Sequence, residues 1–477
     1  MTALSKTRRR ILLYGLISLF LIAAPFVIFY SIGIFVDIRS RTLMPTGGIF
    51  IKTNITGAKV FLNNALAKEN SFLSHGALLN NVSQGSYTLR VEKEKYRPWQ
   101  KKVEVTNGLV SEYRTIFLIP KEPPETTIFQ ITAPHMAITT IAPPIHNIAI
   151  ATISENEDNQ LFLLDTANDI VTPSGIKHVF KTKLSPSGQK LLLKKTEKGI
   201  TNWAIANTSK NTLRISASIP SQISYLTGET IKMVTTRTSK AISFHPLDET
   251  KLYIQDSQNN LLLYDTVNQK TTFISSNVNS FYPTESGIFF LDKNGFLATS
   301  DFPGEEIRVL DNKGLFLNNV PSKFIFSSVN NALGIIDQGG GFFIWSDASS
   351  ELRTLARDTT DALFSPDGTK LAFWNKQTIK TLWLKNDTQS PFEKAGEIKT
   401  IFKTNNKEEI LDITWLDDNQ HILSLTNKRI ILSEIDSRGG ISATTIIDVN
   451  ANHFFYNPDN KKIYWVNKNL LRSISLE

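Results

Sequence analysis

The fold class predicted by this 477-residue sequence is all-β, behind a single N-terminal transmembrane helix. Three observations predict it. An uncharged apolar run stretches from Ile11 to Val36; short alternating stretches with no sustained helical period follow it; and from about residue 126 a Pro-Asp-Gly type of turn recurs to the end of the chain.

The run ILLYGLISLFLIAAPFVIFYSIGIFV holds 26 residues. As a helix it would extend about 39 Å against a hydrocarbon core of roughly 30 Å. Pro25 is tolerable in such a helix, because neighbouring groups in a membrane bundle re-satisfy the backbone it leaves open. Arg8, Arg9 and Arg10 precede the run and set the N-terminus in the cytoplasm by the positive-inside rule. The alternative, a cleaved signal peptide, has a shorter apolar region and a small-x-small site. Here the alanine pair Ala23-Ala24 sits mid-run and the end, Ile34-Phe35-Val36, is bulky. The expected layout is therefore a cytoplasmic tail over 1–10, a transmembrane helix over 11–36, and an extracytoplasmic remainder contacting the bilayer only through residues 11–36.

A hydrophobic content of 41% with 20% charged residues is that of a folded chain. No cysteine is present, which excludes disulfides, thiolate catalysis and cysteine-ligated zinc. The formal net charge is +8. Four of those charges are Lys6, Arg8, Arg9 and Arg10, and residues 47–122 hold 11 Lys and Arg against 6 Asp and Glu. The chain beyond residue 122 carries no positive excess, so no nucleic-acid partner is expected.

From Gly47 to Leu118 the pattern is one of short strands. Tyr87, Leu89 and Val91 alternate with Thr88, Arg90 and Glu92, and further strands are readable at Gly48 to Lys52, Lys59 to Leu62, Gln100 to Val105 and Tyr113 to Leu118. Together they suffice for a small sandwich. The stretches Asn54-Ile-Thr-Gly-Ala-Lys-Val-Phe-Leu-Asn and Gln84-Gly-Ser-Tyr-Thr-Leu-Arg-Val, running on to Tyr96 and Trp99, resemble the PEGA domain of bacterial surface proteins. Gly57 and Ala58 match the last two letters of the motif, and Gly85 and Tyr96 match the strand-and-tyrosine region; Ile55, Thr56 and Lys95 depart from it. The resemblance implies a non-catalytic extracytoplasmic module over 47–119. Tyr96 and Trp99 themselves read as caps on the hydrophobic core.

Residues 120–125, Pro-Lys-Glu-Pro-Pro-Glu, form a stiff hinge. Beyond it, over 126–477, Leu184-Ser-Pro-Ser-Gly-Gln-Lys and Phe364-Ser-Pro-Asp-Gly-Thr-Lys are the clearest copies of the repeat, with weaker ones at Phe244-His-Pro and Tyr456-Asn-Pro. Pro presets one turn position and Gly or Asn takes the positive φ that follows. Degenerate copies fit at Ala142-Pro-Pro, Tyr282-Pro-Thr, Ser327-Ser-Val-Asn-Asn and Trp415-Leu-Asp-Asp-Asn. Their starts lie roughly 37 to 60 residues apart, the spacing of four-stranded blades, which gives a β-propeller of about eight blades, with seven as the other count that fits. Thr126 to Ile131 should supply the strand that the last copy lacks. These repeats resemble the TolB-type, WD-like propellers, a resemblance that implies a protein-interaction or ligand-binding platform.

Signals for chemistry are few. The seven histidines, His75, His135, His146, His178, His245, His421 and His453, show no metal-ligand spacing. Ser187-Gly-Gln-Lys190 matches Ser-x-x-Lys, but inside a repeat turn. Gly339-Gly340-Gly341 could approach a ligand or form a turn, Asp417-Asp418-Asn419 could touch Ca²⁺ or form a hairpin, and Trp203, Trp345, Trp374, Trp383, Trp415 and Trp465 could stack on sugars or fill the core. No catalytic, cofactor-binding or metal residue is assigned, and no cofactor is expected.

The expected function is that of a membrane-anchored binding or scaffold protein of the cell envelope, with an envelope protein or cell-wall glycan as partner. The alternative is a propeller hydrolase or lyase with its active site in the central channel. A channel lined by His and carboxylates would favour the enzyme, and a Thr- and Ser-lined one the binder. An envelope sensor is a third reading, against which the ten-residue tail counts.

Overall fold

The computed structural model describes residues 6–31, 34–37, 42–131, 136–145, 148–155, 158–197, 200–209, 212–218, 239–301, 306–313, 316, 321–405, 407–467 and 469–476. The chain divides into two compact units. The first comprises residues 1–122 with the segments 386–394 and 436–442, and the second holds the rest.

The N-terminal helix α1 runs Lys6–Ser31 and keeps Pro25 inside it. It is displaced from the expected 11–36, because Ile34–Asp37 forms a strand, β1, paired antiparallel with Thr42 to Pro45 at the start of β2 (Thr42–Thr53). The bulky Ile34-Phe35-Val36 segment that ends the apolar run has high strand propensity, and a pairing partner decides it. Large apolar side chains from Ile11 to Ile22, and Ile28, are exposed along the helix. Among the described residues, however, no helix is long and apolar enough to cross a membrane.

The small β domain is a sandwich of two sheets. One contains β1, β2, β5 (Gly76–Ser83) and β8 (Val110–Ile116), with β8 parallel to β2; the other is ordered β4-β3-β6-β7, from β3 (Lys59–Leu62), β4 (Ala65–Glu69), β6 (Gly85–Glu92) and β7 (Trp99–Val105). Strand β7 is buried at every other residue, and its inward face packs with Ile49, Ile51, Val60, Leu89 and Val91. Trp99 lies edge-on to Tyr113, with ring centroids 6.1 Å apart, and Tyr96 packs half-buried against the same core, as their core reading requires. Strands β4 and β5 were not legible: β4 is exposed at all five residues, so it has no alternation to read.

Among its described residues the second unit holds eight four-stranded antiparallel sheets, seven of them formed by four consecutive strands. They span residues 136–177, 179–218, 239–275, 278–311, 321–356, 361–403, 410–448 and 453–475, called blades 1 to 8 below. Blade 8 takes its outer strand from β9 (Glu125–Gln130), which pairs with Leu470 to Ile474. This is the closure expected for Thr126 to Ile131, and it gives blade 8 its fourth strand, with β9 as the outer edge.

Buried clusters weld neighbouring blades. Leu192 and Trp203 of blade 2 meet Phe244 and Leu252 of blade 3, and Ile131, Phe455 and Tyr464 meet Ala149 and Leu164 of blade 1. Blades 7 and 8 are tied by the Tyr456 hydroxyl and Lys461 Nζ on Asp417, at 2.8 and 2.5 Å. The ring thus closes, as a β-propeller does. All six tryptophans from Trp203 onward are buried core residues.

The repeat turns are built as read. Ser185 N donates to Lys190 O and Gly188 N to Ser185 O; Ser365 and Gly368 repeat both bonds, with φ of +71° and +69° at the two glycines. Asn419 takes the same left-handed position at +57°, whereas in the last copy the positive φ, +55°, falls one residue later, on Lys461 and not on Asn460. Two starts need correction. Tyr282-Pro-Thr lies within a strand, Val278–Thr284, with the turn just after it, and Ala142-Pro-Pro lies within Met136–Ile145, where residues 146–147 fall outside the described residues.

Candidate functional site

The first strand of each blade is innermost in a propeller and borders the central channel. In six of the eight these strands are broken at one equivalent point. Register shifts fall between Ile138 and Thr140, Val179 and Lys181, Ser239 and Ala241, Val278 and Ser280, Pro321 and Lys323, and Ile410 and Asp412. In blade 6, Thr360 N bonds Trp374 O while Asp361 pairs with Trp374; in blade 8, Asn452 N bonds Val466 O while His453 pairs with Val466. An extra residue at this point bends the strand and re-aims the side chain after it, which is why bulges collect at barrel rims and binding sites.

The residues placed by these breaks are Thr140, Lys181, Ala241, Ser280, Lys323, Asp361, Asp412 and His453. Lys323 Nζ of blade 5 lies 2.6 Å from Asp361 Oδ1 of blade 6, and Ala362 N donates to the same oxygen at 2.7 Å. Asp412 Oδ1 accepts from Ile413 N at 2.8 Å, repeating the Asp361 arrangement one blade on. Burial, followed by the nearby Asp361 charge, pushes the Asp412 carboxyl up to about 6, although Ile413 N and Lys323 oppose the shift. In blade 2, Lys183 Nζ donates to Ser243 Oγ of blade 3 at 2.7 Å. Burial, then the neighbouring Lys181 charge, lowers the Lys183 ammonium below its ordinary range. Ser280 Oγ is buried with no hydrogen-bond partner among the described residues.

This ring is neither of the two linings set against each other above. It mixes carboxylates, lysines, one histidine and small residues. Among the described residues no group of three or more His, Asp and Glu side chains could hold a metal ion. Sequence reading missed the ring because it aligned the repeats on their turns and stopped there. The signal was present: Lys181, Ala241, Lys323, Asp361 and Asp412 each stand three residues before the apolar residue that opens the turn, Leu184, Phe244, Phe326, Phe364 and Trp415.

The features singled out in the sequence are structural. Asp418 Oδ2 holds His421 Nδ1 at 2.6 Å and its Oδ1 accepts from Gln420 N, which makes Asp417-Asp418-Asn419 a capped hairpin turn. Gly340, at φ +83°, turns the chain between two strands while Asp337 caps Gly341 N. His245 stacks on Tyr253 with centroids 5.4 Å apart. His135 and His146 lie outside the described residues.

In the first unit, a cleft of about 550 Å³ is lined by Gly57, Lys59, Glu92, Lys93, Glu94, Tyr96, Pro98 and Lys121. Lys93 Nζ donates to Thr56 O at 2.8 Å and lies 5.6 Å from the Tyr96 ring centre. Two of the positions that suggested a family, Gly57 and Tyr96, therefore share one concavity. Residues 46–114 match the PEGA domain. The match covers the small sandwich alone, from the middle of β2 into β8. No curated protein sequence matches the chain.

Among solved structures, the C-terminal WD40 domain of Sif2 is similar over 74% of this chain and 99% of its own, at 10% identity and a TM-score of 0.49. The β-propeller domain of Cps50 (Swd1) from Myceliophteria thermophila is similar over 63% of this chain and 97% of its own, at 11% identity and a TM-score of 0.37. The propeller behind the PEGA domain is established by its own sheet order and blade packing.

Proposed function

We propose that this chain is a binding or scaffold protein of the cell envelope, anchored to the cytoplasmic membrane through its N-terminal helix, Lys6–Ser31, with its PEGA domain and propeller outside. The observation that carries the binding role is the bulged inner ring: side chains of both charge signs are re-aimed at one equivalent point of successive blades. A propeller supports such a role by fold-level analogy, since it offers a rigid disc with a polar mouth. The partner is an envelope protein or a cell-wall glycan. What supports the anchor is the uncharged run behind Arg8, Arg9 and Arg10 and the exposed apolar side chains from Ile11 to Ile22.

Two experiments test the reading. Membrane fractions washed with carbonate should retain the full chain and release one lacking residues 1–36; release of both would end the anchor proposal. Purified sacculi should co-sediment the chain if a wall glycan is the partner.

A second reading, a channel enzyme, draws on one observation: Asp361 and Asp412 stand at equivalent positions of adjacent blades in different surroundings, Asp361 paired to Lys323 and the Asp412 carboxyl pushed up to about 6 by burial. Soluble fragments released from sacculi by the native chain and not by Asp412→Asn would replace the binder with the enzyme.

A further inference from the structure

One sheet of the small sandwich carries apolar side chains on its outer face as well as its inner one. Strand β2 buries Ile49 and Ile51, so Gly48, Phe50 and Lys52 face outward. Phe50 stands opposite Leu78 of β5 and Gly48 opposite Val110 of β8, and both Leu78 and Val110 are exposed. An apolar stripe therefore crosses three strands of the sheet on its solvent side.

The turn from Ser71 to His75 extends the stripe past the end of the sheet. Ser71 N donates to Gly76 O at 2.8 Å and His75 N to Ser71 O at 3.0 Å. The buried Asn70 fixes the base of the turn: its Nδ2 donates to Thr53 Oγ1 at 2.8 Å and to Ile55 O at 2.7 Å, and its Oδ1 accepts from Ala58 N at 2.7 Å. A turn held this firmly still leaves Phe72 79% and Leu73 90% exposed. Two adjacent large apolar side chains on a fixed protrusion mark a contact surface.

Cations border the stripe. Lys52 shares the outer face with Phe50, and Lys68 Nζ reaches Leu78 O at 3.1 Å; among the described residues neither pairs with a carboxylate. An apolar centre with unpaired lysines at its rim suits a bilayer surface, where apolar side chains enter the boundary between headgroups and acyl chains and ammonium groups meet lipid phosphates. Chain continuity points to the same partner. Strand β1 belongs to this sheet and begins three residues after α1 ends, a span of at most about 11 Å. From Pro45, level with Ile34 of β1, strand β2 runs on to Thr53 at the base of the turn, roughly 26 Å away. A sheet lying along the bilayer thus brings the turn to the lipid at that distance from the helix.

We propose that this face of the PEGA domain rests on the bilayer that holds α1, with Phe72 and Leu73 entering the extracytoplasmic leaflet and Lys52 and Lys68 on anionic lipid phosphates. The proposal rests on the reading of α1 as a membrane anchor and adds a second, lateral membrane contact to it.

The chain contains no cysteine, so single-cysteine variants each carry one environment-sensitive fluorophore. The sites are Leu73→Cys at the turn, Ile22→Cys in α1 and Ser86→Cys on the outer face of the opposite sheet, all three exposed. The full chain is reconstituted in vesicles of phosphatidylglycerol and phosphatidylcholine, with lipids spin-labelled on their acyl chains as quenchers. Expected are quenching at Ile22 and Leu73, a blue shift at Leu73, and no quenching at Ser86. Lys52→Glu with Lys68→Glu, or vesicles of phosphatidylcholine alone, should restore most of the Leu73 fluorescence, each lysine near an anionic surface being worth roughly fivefold in binding.

A quenched Ile22 with an unquenched Leu73 overturns the proposal and leaves the anchor standing. A quenched Leu73 with an unquenched Ile22 keeps the face as a membrane site and removes the anchor; no quenching at either removes both. A blue-shifted Leu73 label that the quenchers do not reach assigns the face to a protein and overturns the proposal, as does equal quenching at Ser86.

Discussion

Replacing Asp412 by Asn should stabilise the propeller, and by an amount that depends on pH. The folded carboxyl is pushed up to about 6 from an ordinary 3.8, chiefly by burial. The sign follows from which state binds the proton more tightly. Near pH 3 both states are protonated and the carboxyl makes no difference. As pH rises through 4 the unfolded chain loses its proton first, so folding stability falls progressively until the folded carboxyl ionises near 6, and the full cost remains above that. A shift of roughly two units corresponds to about 3 kcal/mol. With about 2 cal/mol/K of unfolding entropy per residue, that moves the transition of a domain of about 350 residues by roughly 4 °C. Asn keeps the shape and the bond from Ile413 N but carries no charge. Scanning calorimetry of both proteins from pH 3 to pH 8 should show coincident propeller transitions at the acid end and the variant higher by about 4 °C at the other. A difference independent of pH, or a less stable variant at pH 8, would refute the argument that burial of a poorly matched charge governs this residue.

Three further outcomes are expected. Trp99→Ala removes a side chain only 6% exposed from the centre of the sandwich and should cost that domain about 3–5 kcal/mol in urea denaturation followed by hydrogen exchange of the amides of residues 47–119. Deleting Glu125 to Gln130 takes the outer strand from blade 8 and leaves an unpaired edge, so light scattering should show oligomers or aggregates where the native chain is dispersed. Arg429→Met strands the Glu408 carboxylate, which is 2% exposed and holds Arg429 through two bonds of 2.8 Å; the loss should be about 3 kcal/mol and largely recovered by adding Glu408→Gln.

The all-β class, the edges of Lys59–Leu62 and the closing strand near Thr126 were legible because each is written in local signals: alternation, turn chemistry and a repeat one strand short. The exposed strand β4 carried no alternation and stayed hidden. The helix was misplaced by five residues at each end because hydropathy alone cannot register that Ile34 to Val36 find a pairing partner in Leu43 to Pro45. The candidate site was hardly legible at all. Lys181, Lys323, Asp361 and Asp412 look like ordinary solvated charges in the sequence, and only the recurrent bulge in the inner strands shows that they share one position. A residue's equivalence across blades is set by register, which linear spacing conveys only once the turns are aligned.

The central claim, that the partner engages the inner ring, is tested most directly by photo-crosslinking in cells producing the full chain, with the photoreactive residue at Lys181 or Ala241 of the ring, or at Thr271 or Thr444 on outermost strands. Crosslinks to one discrete envelope component from the ring positions, and none from the outer strands, is the result the account predicts. Crosslinks from Thr271 and Thr444 with a silent ring would contradict it and place binding on the propeller's circumference.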